Sequence, residues 1–261
     1  MRTAPAGLSV RKQQRYGWRP DTPDMRDYLL AVAPAKTLPT RVSLRSQMPP
    51  VYDQGSLGSC TANSIGAILE LNQRKQKETD AATPSRLFIY YNERVMEGTV
   101  SEDSGAEIRD GIKSVAQLGA PPESLWPYDI MKFAKKPPAK VYAQARKHQA
   151  LRYARVVQDT IPLQSVLASG YAVSFGFTVY SSFETDVHSN GVVPMPKPSE
   201  KVLGGHAVVA IGYKPIRGQL YFECRNSWGP RWADHGHFWM PAGYVTSSSL
   251  ASDFWVIEQV E

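Results

Sequence analysis

The spacing of apolar residues in this chain changes once, near residue 156, and that change limits its fold more than any other feature. Before it, apolar positions recur at helical spacing. One such run is Ser59 to Gln76, with Ala62, Ile65, Ile68 and Leu69 on one face. A second is Ser85 to Glu97, with Leu87, Phe88, Tyr90, Tyr91 and Val95. A third is Ala106 to Leu118, with Ile108, Ile112 and Val115, and Gly119 stands where a helix would end. After residue 156 the period shortens to two. Ala172 to Val179 alternates, and His206 to Tyr213 is nearly all apolar, as a strand buried on both faces is. Leu220 to Arg225, His237 to Met240 and Phe254 to Ile257 follow as further strands. Helices followed by strands predict an α+β fold with a ligand cleft between the two halves.

Three segments result. Residues 1–37 are polar and rich in Pro and Arg, with an aromatic-proline cluster from Tyr16 to Pro20. They read as an extended arm. Residues 38–155 form a mainly helical subdomain, and residues 156–261 a mainly β subdomain. The net charge of +6 is spread along the chain, with its densest cluster from Lys132 to Arg155. That cluster reads first as a solvated helix face and loop. An anion- or nucleotide-binding surface is the competing reading, and nucleic acid is not the expected partner. No apolar run is long enough to span a bilayer, so no membrane association is expected. No apolar stretch precedes Arg11-Lys12, so the N-terminus does not read as a signal peptide. The compartment stays undetermined: soluble, and either cytoplasmic or exported by a route not legible here.

Two cysteines cannot build a disulfide framework. Cys60 opens the first helical run, where the positive end of the helix dipole favours a thiolate. A reactive thiol needs a base, and the base needs an orienting group. Five histidines are available. His206 follows two glycines and opens the apolar strand, whereas His148 and His188 read as surface residues. His235 and His237, with Cys224, fit no standard zinc spacing, so no metal or cofactor is expected.

Three motifs in order then resemble the papain-like (C1) cysteine peptidases, in a disulfide-free bacterial form. They are Gln54-Gly55-Ser56-Leu57-Gly58-Ser59-Cys60, Gly205-His206-Ala207-Val208, and Asn226-Ser227-Trp228-Gly229. His206 lies 146 residues after Cys60 (206 − 60), inside the window of about 130–150 for that family. The resemblance covers residues 38–261. It implies a two-domain fold, with a helical left domain, an antiparallel β-barrel-like right domain and the active-site cleft between. It implies a thiol endopeptidase acting on polypeptides as a monomer. Cys60 would be the nucleophile, His206 its base and acid, and Asn226 the group that orients His206. Trp228 would cover that pair, and the Gln54 amide with the Cys60 N–H would form the oxyanion hole.

For substrate, the resemblance points to Ser104-Gly105-Ala106 as the backbone-binding strand, with Gly105 letting a peptide backbone approach. Ser104 read without it is a helix N-cap. Gly205 and Ala207 would floor an open, apolar pocket for the second acyl-side residue. Leu57, Thr61 and Asn63 depart from the family, replacing a disulfide Cys, a Trp and a Phe. Cys224 reads as a buried apolar thiol. The arm would lie along the cleft and restrain activity. An inactive papain-like binding domain is the remaining alternative.

Overall fold

The computed structural model describes residues 16–31, 37–76, 82–187 and 191–261. Expectations for residues 1–15, 32–36 and His188 lie outside them. Helix α1 (Cys60–Lys75) is buried along almost its whole length, from Cys60 to Gln73. A helix apolar on one face only could not sit so deep; here its polar residues find partners inside. Asn72, for example, donates to the Ile257 carbonyl at 2.7 Å. Helix α2 (Arg86–Glu97) is capped by Ser85, whose hydroxyl accepts the Phe88 N–H at 3.2 Å, and closes on Gly98 in the left-handed region. Helix α3 (Ile108–Leu118) is bounded by Glu107 and Gly119. Ser104 is not its cap.

Among the described residues, seven antiparallel strands form one sheet: β1 (Val42–Ser43), β2 (Ala150–Arg155), β3 (Val173–Tyr180), β4 (Val202–Ile216), β5 (Gln219–Arg225), β6 (His237–Pro241) and β7 (Ala251–Val260). The path is β2-β7-β3-β4-β5-β6, with β1 on β4. The expected barrel-like half is therefore an open sheet, because among the described residues β2 and β6 are its edges and do not pair. The described residues also include short helices α4 (Ala139–Ala145), α5 (Thr160–Ala168) and α6 (Ser181–Thr185), and a helical turn at Ala242–Val245. Among the described residues no helix is long and apolar enough to cross a membrane.

The near-continuous apolar strand β4 is explained by a core on each face. Ala207, Val209 and Ile211 join the cluster built on α1, α2 and α3, while Val208 and Ala210 join a second cluster beyond the sheet. β7 divides the same way, Trp255 and Ile257 against Phe254 and Val256. Helix α1 thus packs its length on the sheet, and its N-terminus, Cys60, meets β4 where His206 begins the apolar run.

The basic segment does not form one face. It divides among a 3₁₀ turn (Ile130–Lys132), α4 and β2, and its last residue, Arg155, is turned to the N-terminal arm.

Candidate active site

Cys60 is the first residue of α1 and is fully buried. His206 lies on β4, paired with Phe177 of β3, and is also fully buried. Its Nε2 and the Asn226 Oδ1 are 2.8 Å apart. Asn226 follows β5, and its own N–H donates to the Gly236 carbonyl at 2.9 Å, which holds the side chain in place. Trp228 stacks on the His206 ring with centroids 4.7 Å apart and planes 29° apart. Trp232 and Phe183 pack edge-on behind Trp228. An apolar cover of this kind strengthens the His206–Asn226 bond by keeping water from it.

Gln54 is fully buried in the loop before α1. Its amide donates to the Leu57 carbonyl at 2.9 Å and its oxygen accepts from the Ser227 hydroxyl at 2.6 Å. The first contact shapes the turn ahead of Cys60. The second ties that turn to the Asn226 loop, alongside the Gln54 N–H donating to the Ser227 carbonyl at 2.8 Å and the Gly229 N–H to the Tyr52 carbonyl at 2.9 Å. The departures from the family are absorbed locally. Thr61 donates to the buried Glu93 carboxyl at 2.9 Å, and the Asn63 amide donates to the Ser59 carbonyl at 2.9 Å and accepts from Arg86 at 3.0 Å. Burial holds Glu93 well above the usual carboxylate range.

The arm crosses this site. The Tyr16 ring meets His206 and Trp228 with centroids 6.1 and 6.2 Å away. Tyr16 also donates its hydroxyl to Glu184. Gly17 passes over the loop before Cys60: a Cβ there would lie 1.8 Å from the Gly58 carbonyl oxygen, so only glycine passes so close. The Ala106 N–H donates to the Gly17 carbonyl at 2.7 Å, and the Arg19 N–H donates to the Ala106 carbonyl at 3.1 Å. The Trp18 N–H donates to the Gly205 carbonyl at 3.0 Å. The arm is therefore an added strand between the two walls of the cleft.

The backbone-pairing residue is Ala106, the last of the Ser104-Gly105-Ala106 segment expected from sequence. Gly105, at φ 72°, supplies the clearance, because a Cβ on it would lie 2.1 Å from the Gly17 carbonyl oxygen. Ser104 bonds Thr99 and the Gly105 carbonyl within its own turn. Ala207 is buried on β4 opposite Gly176.

Burial pushes the Cys60 thiol up to about 12, against smaller opposing pulls from the backbone N–H groups of Ala207, Gly17 and Thr61. The low-pKa thiol expected from the helix start is thus not what the covered site holds, since loss of water outweighs the dipole. Cys224 is the second free thiol, buried in β5 with its thiol also pushed well up by burial.

Past the cleft, three arm carboxylates spaced by three residues meet two arginines. Asp21 and Asp27 each bond Arg155 at 2.8 Å, Asp27 also accepts from Arg109 at 3.0 Å, and Arg109 pairs with Asp24. The arm then bridges the free edge of β2, with the Leu30 N–H donating to the Arg155 carbonyl at 2.8 Å. Sequence reasoning missed this latch, although the i, i+3, i+6 spacing of Asp21, Asp24 and Asp27 was visible.

The family profile described as papain family cysteine protease matches residues 38–256. A peptidase C1-like protein of Acanthamoeba polyphaga mimivirus is 44% identical over 217 residues, which are 80% of this chain and 69% of that one. Mouse pro-cathepsin H is 28% identical over 81% of this chain, which spans 62% of its length. Among solved structures, xylellain, a cysteine protease from Xylella fastidiosa, is 41% identical with a TM-score of 0.87, covering 98% of this chain and 100% of that one. A digestive procathepsin L 3 of Tenebrio molitor shares the fold at a TM-score of 0.66, covering 91% of this chain and 74% of that one. This chain belongs to the papain family of cysteine proteases, a family of thiol-dependent peptide hydrolases.

Proposed function

We propose that the chain is an endopeptidase that works through a Cys60–His206–Asn226 thiolate–imidazolium system and is restrained by its own arm. The observation that carries the reading is the His206–Asn226 contact of 2.8 Å beneath the stacked Trp228, in the cleft that also holds Cys60. Asn226 Oδ1 takes the Nε2–H of His206, so proton exchange with the thiol runs through Nδ1. The thiolate attacks the scissile carbonyl carbon, and the carbonyl oxygen gathers charge between the Cys60 N–H and the Gln54 amide. His206 then gives its proton to the leaving amine. Water, deprotonated by His206, cleaves the thioester and returns the free enzyme.

The direction of the arm supports restraint. From Tyr16 to Arg19 it runs from the leaving-group side, at His206 and Trp228, to the acyl side, at Gly205 and Ala106. A substrate crosses the other way, so the arm fills the cleft without presenting a bond correctly to Cys60. Chain on both sides of Cys60 also supports an open-ended cleft, as an endopeptidase requires.

The test is labelling of the full chain with an epoxide thiol inhibitor, read by mass spectrometry and paired with hydrolysis of a short peptide. Modification should fall on Cys60, disappear in Cys60→Ala and drop strongly in His206→Ala, together with hydrolysis. Preferential modification of Cys224 would sink the mechanism.

A further inference from the structure

Beside the cleft the Trp18 side chain enters the interior and is only 7% exposed. Its indole fills a slot whose walls are backbone. A Cβ on Gly176 would lie 1.9 Å from the indole Cε2, and one on Gly205 would lie 2.7 Å from Cε3. The floor is not apolar. The indole Nε1–H donates to Asp253 Oδ2 at 3.2 Å, and the Asp21 N–H donates to the same oxygen at 2.8 Å. Asp253 is buried at φ 61°, and its other oxygen lies 3.4 Å from Arg155 Nη1.

We infer that Asp253, at the floor of the slot that the family resemblance assigns to the second acyl-side side chain, selects a flat ring bearing an N–H donor, tryptophan first. The inference rests on the peptidase reading above and deepens it. When the arm leaves, Asp253 Oδ2 loses both of its donors at once. A buried carboxylate oxygen without a donor is costly, and a substrate indole restores one of the two bonds. A phenylalanine or leucine enters the same slot and restores none. Arg155 stays beside Oδ1, so a second cation at the floor meets a like charge, which disfavours a basic side chain. Two glycine walls suit a planar ring. The slot belongs to β3, β4 and β7 rather than to the arm, so a substrate entering in the opposite direction meets the same walls and floor.

The experiment uses the full chain carrying Trp18→Ala, which empties the slot and weakens docking of the arm. Fluorogenic peptides differing only in Trp, Phe, Leu or Arg at the second acyl-side position are compared by kcat/KM. Trp should exceed Phe about tenfold or more. Adding Asp253→Gly, which tolerates the positive φ, should bring the two level, and Asp253→Asn, which keeps an acceptor, should preserve most of the preference. A second measurement needs no emptied slot. Trp18→Phe alone should speed Cys60 labelling about tenfold, and should have no effect in an Asp253→Gly background. Equal rates for Trp and Phe with Asp253 present, faster cleavage after Arg, or an unchanged effect of Trp18→Phe without Asp253 each overturn the inference and leave the peptidase reading intact. Failure to cleave any peptide, with Cys60 unlabelled, overturns the peptidase reading itself.

Discussion

Replacing Trp18 with alanine is the most direct perturbation of the arm. The indole is nearly fully buried in the cluster that includes Cys60 and Ala207. A tryptophan buries roughly 150–250 Å², worth about 4–6 kcal/mol at ~25 cal/mol/Å². That area figure is an upper bound, and measured Trp→Ala changes run at about 3–5 kcal/mol. Because the indole is buried only while the arm is docked, most of the loss falls on docking rather than on the catalytic domain. Three to four kcal/mol corresponds to a population of undocked arm raised about 10²–10³-fold. Cys60 is fully covered in the docked state, so a small epoxide reaches it only after the arm moves. If docking and undocking are fast relative to alkylation, the labelling rate follows that population and rises by the same factor until the undocked state dominates. The assay is the second-order rate of Cys60 modification in the full chain, with thermal unfolding followed in parallel. An unchanged rate in Trp18→Ala, with a melting midpoint near that of the parent, would refute the idea that the arm gates the thiol.

Other perturbations act on separate parts of the site. Gln54→Ala should lower kcat by about 10²–10³ if its amide stabilises the oxyanion, and a change confined to KM would contradict that role. Asn226→Ala removes a 2.8 Å contact to the His206 ring and should cost about 10–100-fold in kcat/KM, with partial recovery in Asn226→Gln. Arm docking should depend on pH through Asp21, which faces Asp253, the Arg109 N–H, the Trp255 indole and Arg155; burial first and Asp253 second raise its carboxyl from 3.8 to about 7. The docked state therefore holds a proton that the undocked arm releases, so docking is strongest below about 4 and weakens as pH rises through about 7. Hydrogen-exchange protection of the Trp18 and Arg19 amides should be higher at pH 5 than at pH 8, and Asp21→Asn should flatten the difference. The opposite trend would show that the ion pairs with Arg155 dominate.

Some of the fold was legible because it is local. The helix around Ile65 and Ile68 and the strands around Val208 and Phe254 follow from apolar spacing alone. Helix α5 carried local signals too: Asp159 caps it through the Thr160 N–H, and Pro162 sits in its first turn. Both were lost in a stretch read only for strands. Strand β2 hid for a different reason. It is an edge strand with Arg152 and Leu151 exposed, so its pattern resembles a solvated segment, and only pairing with β7 and the arm makes it a strand.

Sequence by itself determined the family, the order of the helical and β halves, and the candidate set Gln54, Cys60, His206 and Asn226. Those depend on residue identity within short motifs and on the order of the motifs along the chain. Tertiary structure alone decided that the sheet stays open, which residue of Ser104-Gly105-Ala106 pairs with the arm, and that Asp253 lies under the Trp18 indole. It also decided the state of the thiol. A helix start favours a thiolate, but Gly17, 43 positions before Cys60 (60 − 17), passes over the loop ahead of it, the thiol is fully buried, and desolvation outweighs the dipole. No local pattern encodes that result, because it depends on which distant segment excludes water from the sulfur.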